Sequence, residues 1–377
     1  MKQQKTTTVL PEQHELEQSA QPTPKKRKMW FVLVGIFVLV LIQFLVWFFV
    51  SKWAEKDQSS DFPLVVDDQG NVVTPTPMPF YEMTIPALRE RMYTSSLDEL
   101  EVYSQNPSYT SYLTSYDSDG LRIDGLLTKP TGEMPVGGFP AIVFLHGYIP
   151  PTQYQTTQNY VSYVDFLTRN GFVVFKIDLR GHDDSEGEAS GAYYSSDYIV
   201  DTLNAYEALA SSDFVNPEKI GLWGHSMAGN VVMRSLAAKP EIPAIVVWAG
   251  AVYSYTDWAK YGIDDNSYRP PSTSANRTRR RQELLDTHGQ PSTTSAFWQQ
   301  VAPTNYLSDI TGAIQLNHAV NDSVVDVGYS RDLNALLDET SVVHEFNEYA
   351  GGGHNIDGAY FSQAMNNTVE FFKKYLE

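Results

Sequence analysis

The chain has no cysteine among its 377 residues. That excludes disulfide support and every metal site built on thiolate ligands. Basic residues are also scarce, 27 Lys and Arg against 45 Asp and Glu, giving a net charge of -18. A surface that acidic repels nucleic acid and anionic membrane surfaces, and it favours cationic substrates or simple solubility. No repeat of 40 to 50 residues recurs along the sequence, which excludes a β-propeller. Neither a cofactor nor a metal is expected.

What is present centres on KIGLWGHSMAG, Lys219 to Gly229. A short apolar run delivers Ser226 into a turn of small residues that opens a helix, the geometry that lifts a hydroxyl above a sheet edge. There a base and two backbone N–H donors converge on one substrate atom. His225, the neighbour in sequence, reads as a packing residue.

A nucleophile of this kind needs a base and an orienter, in the chain order Ser, acid, His. AIQLNHAVND, Ala313 to Asp322, reads as a strand ending in a polar loop that presents Asp322. The run VVHEFNEYAGGGH ends in glycines and then His354, a loop free to bring one imidazole over a hydroxyl. The expected roles are a proton shuttle for His354 and tautomer control for Asp322. Asp326 is the rival acid, placed at a helix start. A further strand, GFPAIVFLHGY, breaks at His146–Gly147. The N–H of Tyr148 is expected to pair with that of Met227 around a developing oxyanion.

These stretches, with YDSDGLRIDGLLTKP from Tyr116, GFVVFKIDLRGHDDSEG from Gly171 and FWQQVAPTNYLSDITGAIQLNHAVNDSVV from Phe297, resemble the α/β-hydrolases of the prolyl oligopeptidase type. The likeness runs from about Tyr109 to the C-terminus. It implies a serine peptidase or esterase without a propeller. Such enzymes usually carry Gly where Ala228 and Asp183 stand, and His-Gly-Thr where His318, Ala319 and Val320 stand. Arg180, in the DLRGHDDS loop, is expected to brace the fold through a carboxylate.

The first part of the chain bears on location. Residues 29–50 contain no formal charge; as a helix they extend about 33 Å, enough to cross a hydrocarbon core of roughly 30 Å. Trp30, Trp47 and Trp53 are spaced as interfacial anchors, and Lys25, Lys26, Arg27 and Lys28 mark the cytoplasmic side. Residues 1–28 then form a disordered cytoplasmic tail of charge +3, and the rest of the chain carries -21. Residues 51–108 read as a Pro-rich spacer and lead-in, with short helices over 87–105. An exported chain without cysteine points to a bacterium.

Residues 109–377 are expected to form the catalytic domain, a mostly parallel eight-stranded sheet with helices on both faces. Its first two strands, near 111–117 and 121–128, pair antiparallel at the edge. Residues 253–304 interrupt the alternation as a lid insertion. Within it Arg277, Arg279, Arg280 and Arg281 read as a solvated helix face paired with Glu283 and Asp286. Candidate substrate contacts are Asp183, Asp184, Glu186 and Glu188 for an ammonium group, and Tyr148, Tyr154, Tyr253, Tyr255 and Trp258 for an apolar pocket.

The expected activity is hydrolysis of small peptides or esters outside the cytoplasm, through an acyl-enzyme on Ser226 and failing as His354 is protonated. Peptidase and carboxylesterase share this machinery. A binding or sensing module on a retired hydrolase fold is the alternative from another class.

Overall fold

The computed structural model describes residues 65–66, 72–73, 78–263 and 275–377. The expected tail, the membrane span over 29–50 and most of the spacer lie outside the described residues. So do residues 264–274 of the expected lid. Among the described residues no helix is long and apolar enough to cross a membrane. The chain divides at residue 76 into two units. The first is described only by β1 (Val65–Val66) and β2 (Val72–Val73), which pair antiparallel.

The second unit is built on one sheet. Its strands are β3 (Glu101–Gln105), β4 (Tyr109–Ser118), β5 (Leu121–Pro130), β6 (Phe139–Leu145), β7 (Val173–Ile177), β8 (Val215–His225), β9 (Ala244–Trp248), β10 (Ala313–Ala319) and β11 (His344–Tyr349). They lie in the order β11-β10-β9-β8-β6-β7-β5-β4-β3. The run from β11 to β7 is parallel, and β5, β4 and β3 continue it antiparallel. β6, β7, β9 and β10 are buried along their whole length, as strands covered on both faces must be. Their apolar runs follow from that.

Among the described residues the sheet has nine strands, not eight. The β4–β5 pair stands one strand in from the edge, because β3 adds outside β4. Every β3 residue is exposed, so the segment has none of the alternating burial that marks a strand in sequence.

The helices are α1 (Ile85–Glu90), α2 (Val161–Arg169), α3 (Asp197–Ala210), α4 (Met227–Ala238), α5 (Asp257–Tyr261), α6 (Ala275–His288), α7 (Ala296–Val301), α8 (Gly328–Asp338) and α9 (Phe361–Leu376). α3, α4 and α8 contribute to one core, and α2 and α9 to the core on the other face. The domain boundary expected at 108 moves back to the start of this unit. α1, capped by Thr84, buries Ile85 and Leu88 in the same core as α4. Arg234 of α4 donates to the Met83 carbonyl at 2.6 Å, and Arg89 donates to the Ala237 carbonyl at 2.8 Å. The lead-in is therefore part of the packed layer.

From β6 the chain steps to β7 on one side, then crosses back to β8 on the other. Ligand crevices form at such switch points, outside the carboxyl ends of the strands. His146–Gly147 follows β6 there, and Ser226 follows β8.

Candidate active site

Ser226 adopts φ 55° and ψ -118° between β8 and α4. A left-handed φ on a non-glycine residue is strained, and such strain is kept only where the surroundings fix it. Here the Ser226 N–H donates to the Trp248 carbonyl at 2.8 Å, while the Ser226 carbonyl accepts from Gly229 at 2.8 Å. Gly224 has to be glycine, since a Cβ there would stand 2.7 Å from the Ala228 carbonyl oxygen. Ala228, the departure at the elbow, is itself fully buried.

Asp322 and His354 meet from two different loops. His354 Nδ1 donates to Asp322 Oδ2 at 2.8 Å, so Nε2 is the imidazole's bare nitrogen. Asp322 Oδ1 accepts the N–H groups of Val324 and Val325 at 2.8 and 3.0 Å, and His318 Nε2 lies 3.2 Å from Oδ2. Burial works to raise this carboxyl, but the hydrogen bonds from His318 and His354 hold it well below the usual carboxylate range. It is an anion placed to support an imidazolium. Asp326 instead accepts from Gly328 at 2.7 Å, at the start of α8.

A cavity of 1670 Å³ lies at the carboxyl ends of β6 and β8, and Ser226, His354, Tyr148 and Met227 all line it. As the first residue of α4, Met227 has an N–H with no partner inside the helix. The volume exceeds the roughly 300–1,000 Å³ of ordinary small-molecule pockets.

The substrate candidates separate sharply. Trp258 and Glu188 line the cavity, with Trp258 edge-on to Tyr193 at 5.0 Å. Asp183, Asp184, Glu186 and Tyr253 do not. Asp183 has φ 47°, the conformation glycine favours, and its carboxylate accepts from the Thr156 N–H at 2.7 Å. Glu186 accepts the Arg122 N–H, and Tyr253 is buried in the core. Tyr154 and Tyr255 are likewise buried. Arg180 braces the fold as expected, with Nη2 at 2.6 Å from Asp201.

The arginine run differs in part from expectation. Arg279 is 3.6 Å from Glu283, but Arg280 pairs with Glu82 at 2.9 Å and Arg281 stacks over Tyr194 at 4.4 Å. Asp286 accepts from Gln282 instead. All four arginines line the cavity, so α6 is a wall of it and not a solvated face alone.

Sequence reasoning missed two supports. One is His318, visible only as a departure from a familiar triplet. The other is a buried cluster under the loop after β6, where Lys176 Nζ donates to Tyr154 Oη at 3.1 Å and to the Asn159 carbonyl at 3.0 Å. Asp178 accepts from Tyr154 Oη at 2.6 Å and from Thr156 Oγ1. Burial pulls the Lys176 ammonium down and pushes the Asp178 carboxyl up.

The chain is similar to known hydrolases. The family model Hydrolase_4, described as serine aminopeptidase S33, matches residues 140–269. The uncharacterized peptidase YtmA of Bacillus subtilis is 24% identical over 226 residues, 60% of this chain and 79% of that one. Among solved structures, Porphyromonas gingivalis dipeptidyl peptidase 4 superposes with a TM-score of 0.55 at 17% identity, over 71% of this chain and 36% of that one. Acetyl xylan esterase from Paenibacillus sp. R4 gives 0.55 at 18% identity, over 78% and 92%. The fold is that of the α/β-hydrolases. The chain is a serine hydrolase. It spans about a third of the length of the dipeptidyl peptidase, but nearly all of the esterase.

Proposed function

We propose that the chain is a membrane-tethered hydrolase that cleaves amide or ester bonds of small substrates outside the cytoplasm, through an acyl-enzyme on Ser226. The observation that carries the chemistry is the Asp322–His354 hydrogen bond, with His354 and Ser226 lining one cavity. His354 Nε2 takes the Ser226 hydroxyl proton as Oγ attacks the scissile carbonyl carbon. The oxygen that gains charge is met by the N–H groups of Tyr148 and Met227. As the tetrahedral species collapses, the imidazolium returns its proton to the leaving amine or alkoxide, and the acyl group stays on Ser226. Water, deprotonated by His354, then attacks the ester carbonyl; the bond to Ser226 Oγ breaks, the imidazolium returns the proton to Oγ, and a carboxylic acid is released.

The peptidase reading is supported by the serine aminopeptidase model and by the name of the Bacillus relative. The esterase reading is favoured by a different fact, the near-complete coverage of an acetyl xylan esterase. Tethering is supported by the uncharged run over residues 29–50 and the basic cluster before it.

A fluorophosphonate probe tests the reaction: wild type labels, and Ser226→Ala does not. Failure of wild type to label would leave only the binding-module alternative. A library of peptides and esters then separates amide from ester preference. Retention of the full chain in carbonate-washed membranes checks the tether, and release into the wash would refute it.

A further inference from the structure

We infer that Tyr160 and His225 are positioning residues, forming a hydrogen-bonded chain that ties the loop carrying the Tyr148 oxyanion donor to the loop of the catalytic imidazole. The inference rests on acylation at Ser226.

Three contacts make the chain. The Gly147 N–H donates to Tyr160 Oη at 2.9 Å, Tyr160 Oη lies 2.7 Å from His225 Nδ1, and His225 Nε2 lies 2.9 Å from the His354 carbonyl oxygen. Its direction is determined. A carbonyl oxygen only accepts, so Nε2 carries the proton. Burial keeps the His225 ring neutral, with its pKa pushed down to about 3, so Nδ1 has a lone pair and accepts from the Tyr160 hydroxyl. That hydroxyl, having given its proton away, accepts from Gly147. Each group has one role, and each hydrogen bond polarises the next.

A second observation points the same way. Tyr160 caps α2 with φ 61°, a conformation that a bulky residue adopts only under constraint. Its ring is fixed against Phe144 at 5.5 Å and Trp223 at 6.2 Å, which aims the hydroxyl at the gap between β6 and β8. One turn later, Tyr163 donates to the Asn355 carbonyl at 2.9 Å. α2 thus holds the His354 loop by two tyrosines, one of them through His225. His225 takes no proton from Ser226, because both of its nitrogens are engaged. It acts by fixing where the His354 backbone sits, 4.6 Å from ring to ring, while Asp322 fixes the side chain.

Tyr160→Phe keeps the ring and deletes the hydroxyl. Its kcat on p-nitrophenyl acetate is expected to fall roughly 10- to 100-fold, with KM within about threefold, since small misplacements of a catalytic group cost that much. The rate of fluorophosphonate labelling should fall by the same factor. His225→Gln retains an N–H for the His354 carbonyl and should keep at least about fivefold more activity than His225→Leu. If Tyr160→Phe does not fold, the His225 pair decides. Labelling of Tyr160→Phe and His225→Leu within about twofold of wild type, or a loss confined to KM, overturns the inference. Absence of labelling in wild type would instead remove Ser226 as the nucleophile.

Discussion

His354 and Asp322 are joined by a 2.8 Å hydrogen bond across 32 residues of sequence, and the same carboxylate receives His318 and two backbone N–H groups. Asp322→Asn keeps the volume but presents an amide to an imidazole that needs an anion. It is expected to lower kcat on p-nitrophenyl esters by about 10³- to 10⁴-fold with little change in KM. Steady-state kinetics decide the matter, and a loss under about tenfold would speak against Asp322 as the orienter.

Gly147 has no room for a side chain. A Cβ there would stand 2.9 Å from Tyr160 Oη, 3.0 Å from His225 Nδ1 and 3.1 Å from Ser226 Cβ. Gly147→Ala is expected to cost about 10²-fold in kcat/KM, through displacement of the nucleophile and its neighbours. Stability should fall by only about 1–3 kcal/mol, as for other overpacked sites. Paired kinetic and denaturant measurements would show whether activity falls further than folding does.

His146, His182 and His225 are all held neutral by burial, their folded pKa values lowered. In the unfolded chain each takes a proton near pH 6.5. Below that pH the unfolded state therefore binds more protons than the native one, and stability falls as pH drops. Each such imidazole steepens the fall by about 1.4 kcal/mol per pH unit. For His225 the effect runs on until its folded value of about 3. Denaturant midpoints between pH 7 and 5 should drop accordingly, and His225→Gln should shallow the slope by one proton. A flat profile would contradict burial of these rings in the neutral form.

The Lys176–Asp178 cluster holds down the loop that leads from β6 to α2. Lys176→Met removes the donor to Tyr154 Oη and the Asn159 carbonyl and the charge nearest buried Asp178, and is expected to destabilise the fold by about 1–3 kcal/mol. Lys176→Met combined with Asp178→Asn should recover part of that loss. Chemical denaturation of the two variants side by side gives the comparison, and equal stabilities would show that the charges do not matter to one another.

Much of the candidate site could be seen in the sequence because each candidate ends an apolar run: Ser226 after β8, Asp322 after β10, His354 after β11. Strand ends in a parallel sheet gather on one edge, so linear order already implied proximity. The His225–Tyr160 contact could not be seen in the same way. It joins the end of β8 to the cap of α2, 65 residues apart, and no spacing rule links those elements. Nor was β3 legible, since an exposed edge strand obeys no burial pattern. Asp183 misled for a related reason: its charge suggested a substrate contact, whereas its left-handed backbone and its bond to Thr156 make it a loop brace.

The packing of α1 has a consequence for where a catalytic unit can be cut from the rest of the chain. Met83, Ile85 and Leu88 are core residues, and the grips of Arg234 and Arg89 fix the backbone around them. A proteolytic cut between residues 51 and 77 would shed a catalytic unit with its hydrophobic interior intact. Truncation at residue 108 would leave α4 with an open apolar face and yield an insoluble fragment.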